Sequence, residues 1–137
     1  MGKSTGLGLT ALSVDDAAGT LTDIRGDVTN FEWATPRNVQ DVTGVDKSAI
    51  ERLLLLADMS LTLTGVHNPV GAHLVFSSVP STSVNREFLI TANGVSLGVT
   101  GTPTLLPTDY SLTRAAEGSL VYTVPMVLAN GVVPTWS

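Results

Sequence analysis

Apolar and hydroxyl side chains alternate most regularly at 59–66, Met59-Ser60-Leu61-Thr62-Leu63-Thr64-Gly65-Val66. Successive side chains of an extended strand point to opposite faces, so Met59, Leu61 and Leu63 are expected in a core and Ser60, Thr62 and Thr64 outside it. A second strand is predicted over 120–128, with Leu120, Tyr122, Val124, Met126 and Leu128 on one face. Val121, Thr123 and Val127 make its other face mostly apolar as well, and Pro125, with no N–H to donate, marks an edge or a bulge. Further strands are predicted at 7–14, 28–33, 39–45, 87–92, 95–103 and 110–114. Asn93-Gly94 separates two of these runs, and both residues tolerate the positive φ that a two-residue hairpin turn demands. Asp15-Asp16-Ala17-Ala18-Gly19 reads as a looser turn.

Two segments carry helix signals. Over 69–79, Val70, Leu74 and Val75 share a side, Pro69 suits a first turn and Pro80 closes the segment. Ser48-Ala49-Ile50-Glu51 matches a capping box, but Leu53-Leu54-Leu55-Leu56 after it has no helical face and lies between strands. The pattern as a whole predicts a mainly β fold: a small β-sandwich or barrel with one flanking short α-helix, a single domain over 1–137.

Composition changes this picture in one respect. A chain of 137 residues can bury a core unaided, and without cysteine it has neither disulfides nor thiolate metal sites. The longest apolar run, 53–57, is too short to span a bilayer, and no apolar segment of a secretory signal follows Lys3. The domain is expected to be soluble and cytoplasmic when made. Yet only 14% of its residues are charged and its mean hydropathy is +0.30, against roughly 25% charged for a typical soluble domain. Such a chain is expected to bury surface against copies of itself or a partner. Charge is also uneven: seven acids and three bases lie in 1–46, whereas 88–137 holds only Asp109, Arg114 and Glu117. The seven basic residues form no cluster, which argues against gripping a phosphate backbone.

Motifs for chemistry are few. Gly2-Lys3-Ser4-Thr5 imitates the end of a phosphate-binding loop, but no strand and no earlier glycine precede it, and Ala11 spoils the dinucleotide pattern begun by Gly6 and Gly8. Gly6 stands where N-myristoylation prefers Ser or Thr. His67 and His73, with Asp58, offer a metal-ligand set that nothing in the spacing forces to converge. No serine sits in a nucleophile elbow, and the aspartates read as solvated turn residues. Trp33 and Trp136 read as packing anchors. No catalytic, metal or cofactor site is predicted, and the chain reads as a non-enzyme.

A softer pattern runs through Arg37-Asn38-Val39-Gln40-Asp41-Val42-Thr43-Gly44 and Leu56-Ala57-Asp58-Met59-Ser60-Leu61-Thr62-Leu63-Thr64-Gly65-Val66. It continues in Ala72-His73-Leu74-Val75-Phe76, in Val121-Tyr122-Thr123-Val124-Pro125, and in a glycine turn with a short apolar run at 129–136. In this order of elements, over roughly 20–137, the chain resembles the major tail tube proteins of long non-contractile-tailed, siphovirus-type bacteriophages. The resemblance implies a structural virion protein without cofactor or membrane contact. Such subunits would join sheets edge to edge in hexameric rings, and the rings would stack into a tube with a lumen for the genome, which passes without specific binding. It implies an inter-ring connector at 34–56 and a flexible N-terminal arm at 1–6. Contact candidates are Lys3, Arg37, Lys47, Glu51, Arg52, Leu54 and Leu55, and lumen-facing acidic candidates are Asp23, Asp27, Glu32 and Asp41. Implied partners are further copies and the tape-measure, terminator and distal tail proteins, in a virion tail assembled from host cytoplasm. An alternative from another class is a β-sandwich decoration or host-adhesion module on a virion surface.

Overall fold

A computed structural model describes residues 5–98 and 103–136. In chain order the elements are β1 (Leu9–Asp15), β2 (Leu21–Asp23), β3 (Val28–Ala34), β4 (Arg37–Asp41), β5 (Arg52–Ala57) and β6 (Ser60–Val66). Then come α1 (Ala72–Phe76), β7 (Phe88–Ala92), β8 (Val95–Leu97), β9 (Leu105–Pro107), β10 (Ser111–Arg114) and β11 (Leu120–Leu128). One sheet has the order β2-β1-β7-β8. The second has β10-β11-β6-β3, with β9 also on β11, and every pairing is antiparallel. The two pack face to face as a β-sandwich. β4 and β5 pair only with each other and form a separate two-stranded ribbon.

The alternation at 59–66 does what it predicts: Met59, Leu61 and Leu63 are buried and Ser60, Thr62 and Thr64 lie on the opposite face. They meet Tyr122, Val124 and Met126 of β11 from their own sheet. Leu12, Val14, Phe88, Ile90 and Leu97 of the first sheet close the core from across the sandwich. Asn93 (φ 53°) and Gly94 (φ 86°) form the β7–β8 turn. Pro125 occupies a gap rather than an edge. β10 pairs with 120–123 of β11 and β9 with 126–128, so on that side no strand asks position 125 for an N–H.

The helix and the strand expected at 39–45 need correction. The helix is five residues long, and its core face is Ala72, Val75 and Phe76, while Val70 and Leu74 point to solvent. Phe76 is the largest apolar side chain of the segment, and burying it outweighs the Val70–Leu74 stripe. The capping box at 48–51 lies in the loop of the ribbon, and the leucines after it form β5. The strand expected at 39–45 ends at Asp41, where the Asp41 carboxylate accepts hydrogen bonds from Thr43 N–H (3.0 Å) and Oγ1 (2.6 Å) and turns the chain. The segment 129–136 is largely irregular, with a single bridge from Trp136 to Leu97. Of the strand expected at 95–103, 95–97 is β8, and 99–102 lies outside the described residues.

Asp15 ends β1 almost wholly buried, accepting the Glu87 N–H at 3.2 Å on Oδ2 while Oδ1 has no partner. Burial pushes its carboxyl above the ordinary aspartate range. A raised folded-state value means the protonated form favours folding, so its contribution is complete below the unfolded value and is lost as pH rises through the folded one. Asp15→Asn, which does not titrate, is therefore expected to exceed the wild type in urea midpoint at pH 7 by a margin that shrinks towards pH 4. A margin that grows on acidification contradicts this account of Asp15.

Candidate assembly surfaces

The ribbon β4–β5 and its loop form an arm whose every residue from 35 to 58 is exposed except Thr43. Side chains of adjacent strand residues point to opposite faces, so Leu54 and Leu56 lie on one face of the ribbon with Val39, and Leu53 and Leu55 on the other. The exposures are 54% for Leu53, 57% for Leu54, 40% for Leu55 and 91% for Leu56. A two-stranded ribbon is at best marginally stable alone, and this one exposes leucines on both faces. Its base is fixed by the Arg37 Nε–H donating to Leu55 C=O at 2.8 Å, and its distal loop by a half-exposed Lys47–Glu51 pair at 3.8 Å. Such an exposed pair contributes at most about 1 kcal/mol. Arg52 stands opposite Asp41 at the outer end of the ribbon. Six of the seven contact candidates thus fall on one arm; Lys3 lies outside the described residues. Val45 and Ile50, exposed apolar residues of the same loop, escape sequence reasoning because turn-rich surroundings hide them.

The acidic candidates do not gather on one face. Glu32 projects from β3 on the outer face of the second sheet, opposite Thr62. Asp27 is half-buried, and its carboxylate accepts from Ala72 N–H at 3.0 Å and Asn68 Nδ2 at 2.9 Å, which fixes the start of α1. Asp23 ends β2 and pairs with Arg25 at 3.5 Å. Asp41 belongs to the arm, where the Thr43 hydroxyl and then its N–H hold the carboxyl below its ordinary range.

The outer face of the second sheet is nearly free of charge. Ser111, Thr123, Thr64 and Asn30 form one cross-strand row, and Pro125, Thr62 and Glu32 form the next. Val127, Ser60 and Ala34 make a third. Glu32 is the one charged side chain on these rows.

The two histidines do meet: their rings stand 5.1 Å apart, and His73 Nδ1 is 2.9 Å from the Tyr110 hydroxyl. Asp58, however, precedes β6 and the histidines follow it, so the proposed third ligand sits at the far end of a seven-residue strand. Among the described residues no three metal-ligating side chains converge. Trp33 and Trp136 pack edge to face at 5.6 Å and hold the C-terminal segment against β3.

No family model matches the chain, and no curated protein sequence is similar to it. Its fold is similar to that of solved virion structures. A chain of the virion of a native gene transfer agent particle aligns with TM-score 0.74 at 16% identity, covering 97% of this chain and 99% of that one. A chain from the tail of an empty gene transfer agent particle, a structure with C6 symmetry, aligns with TM-score 0.73 at 17% identity and the same coverage.

Proposed function

We propose that the chain is a tail tube subunit of a phage-like particle, which polymerises as stacked hexameric rings around a lumen for genome passage. The observation that carries this reading is the arm: exposed leucines on both faces of a ribbon that pairs with no other strand of its own subunit. The whole-chain likeness of the sandwich to a chain of a six-fold symmetric tail supports it. Sheets with free edges gain by joining copies, since ring closure leaves no edge for uncontrolled pairing. Rings stacked head to tail make a contact that does not close, and so a tube grows.

The hydroxyl-rich outer face of the second sheet is the surface best suited to line the lumen. It carries Glu32 and no base, so it repels DNA phosphates weakly and holds none. Asp23, Asp27 and Asp41 set the acidic balance of the subunit from other surfaces. The arm would reach the adjacent ring, with the N-terminal segment 1–6 as a further contact. A tape-measure protein inside the tube, and terminator and distal tail proteins at its ends, are the other partners of this reading, in a virion tail assembled from host cytoplasm.

Sedimentation velocity at increasing protein concentration tests it. Polymers far heavier than the 14.2 kDa subunit are expected. A single discrete small species at every concentration would overturn the reading in favour of a decoration or adhesion module.

A further inference from the structure

We propose that in the ring the β10 edge of one subunit docks on the β3 edge of the next, with Leu112 filling a groove beside β3. This rests on the ring assembly proposed above. The second sheet runs β10-β11-β6-β3 with every neighbour antiparallel, so its two outer strands point in opposite directions. Placing β10 of a second copy beside β3 therefore continues the antiparallel alternation, and the free backbone groups of both edges find partners. The first sheet offers less: β2 and β8 have three residues each, and Leu97 of β8 already bridges to Trp136.

Side chains select the same join. Leu112 stands opposite Tyr122, Tyr122 opposite Gly65, and Gly65 opposite Val28, so one inward-facing column runs from Leu112 at one edge to Val28 at the other. At the β10 end Leu112 is 49% exposed. At the β3 end lies a groove of about 550 Å³ lined by Leu9, Leu12, Val28, Phe31 and Ala92, with Arg25 as its one charged side chain. Joining copies in step with the column brings Leu112 to Val28, and a shift by one inward position brings it to Phe31. In the in-step join the row Ser111–Thr123–Thr64–Asn30 on the opposite face repeats across the seam, Asn30 beside the next Ser111.

The chain has no cysteine, which makes a cross-linking test clean. Leu112→Cys is combined with Val28→Cys in one protein and with Phe31→Cys in another, and assembled material is oxidised. At least one double variant is expected to give a ladder of covalent oligomers on a non-reducing gel. Leu112→Cys alone should give none, because one residue does not meet itself across a head-to-tail seam. Leu112→Asp should keep the wild-type melting temperature, since the side chain is exposed, and lower the assembled fraction at least tenfold. Polymers of both double variants without a ladder, a ladder from Leu112→Cys alone, or wild-type assembly by Leu112→Asp would each overturn the seam while leaving the tube reading intact. A wild type that forms no polymer at all would overturn both.

Discussion

Leu54→Asp combined with Leu55→Asp is expected to leave the isolated subunit folded and to abolish its polymerisation. The two side chains occupy opposite faces of the arm, both exposed, on a ribbon that pairs with neither sheet of the sandwich. Substitutions at such exposed positions usually change stability by less than about 0.5 kcal/mol. In an assembly that covers the arm, each leucine forfeits about 1.5–3 kcal/mol of apolar burial. Each new carboxylate adds a desolvation cost of several kcal/mol where no cation meets it. Repeated at every arm of a ring, a cost of this size leaves no polymer at micromolar concentration. Thermal melting by circular dichroism should match the wild type while sedimentation shows only small species. Wild-type polymer from the double variant would mean that the arm is not an assembly contact.

Replacing Arg86 by Met should lower unfolding stability by about 2–4 kcal/mol. Arg86 is fully buried without a carboxylate in ion-pair range. Its Nη1 donates to the carbonyls of Asp15, at 2.8 Å, and Val75, and its Nη2 lies 3.5 Å from Ser78 Oγ. The guanidinium sits 5.8 Å from the centre of the Phe76 ring. Burial pulls its pKa below the ordinary arginine value, though it stays charged at any physiological pH. One side chain thus joins the end of β1 to the end of α1. Exchanging a buried ion pair for apolar groups is often neutral, because both charges leave together. Here the carbonyls stay behind unsatisfied, at about 1–3 kcal/mol each, and that asymmetry decides the sign. The methionine stem recovers part of the packing, so the loss should appear as a melting temperature lower by about 10 °C. A shift below about 2 °C would show that water or backbone rearrangement satisfies those carbonyls.

The strands most legible in the sequence are those whose two faces differ in chemistry. Met59 to Thr64 separates apolar from hydroxyl residues without exception, and Asn93-Gly94 names its own turn. Strands β2 and β9, three residues each, are too short to show a period at all. The helix was legible in place but not in orientation, because Val70 and Leu74 imitate a core stripe that Phe76 overrides. The four leucines of β5 look like core and are not, because they lie on a ribbon that joins neither sheet and leaves all four exposed. Arg86 gives no warning: a lone arginine before a strand reads as surface, and only the meeting of β1, α1 and β9 makes its site. The acids near strands read as one set in the sequence, but folding sends Glu32 to a sheet face, Asp27 to a helix start and Asp41 to the arm.

The most direct measurement is a cryo-electron microscopy reconstruction of the polymer formed by the purified chain, at a resolution that separates strands. The account predicts stacked six-fold rings, arms reaching into the adjacent ring, and a lumen lined by the face that carries Ser60, Thr62 and Thr64. Isolated particles without rings, or a lumen lined by another face of the sandwich, would contradict it.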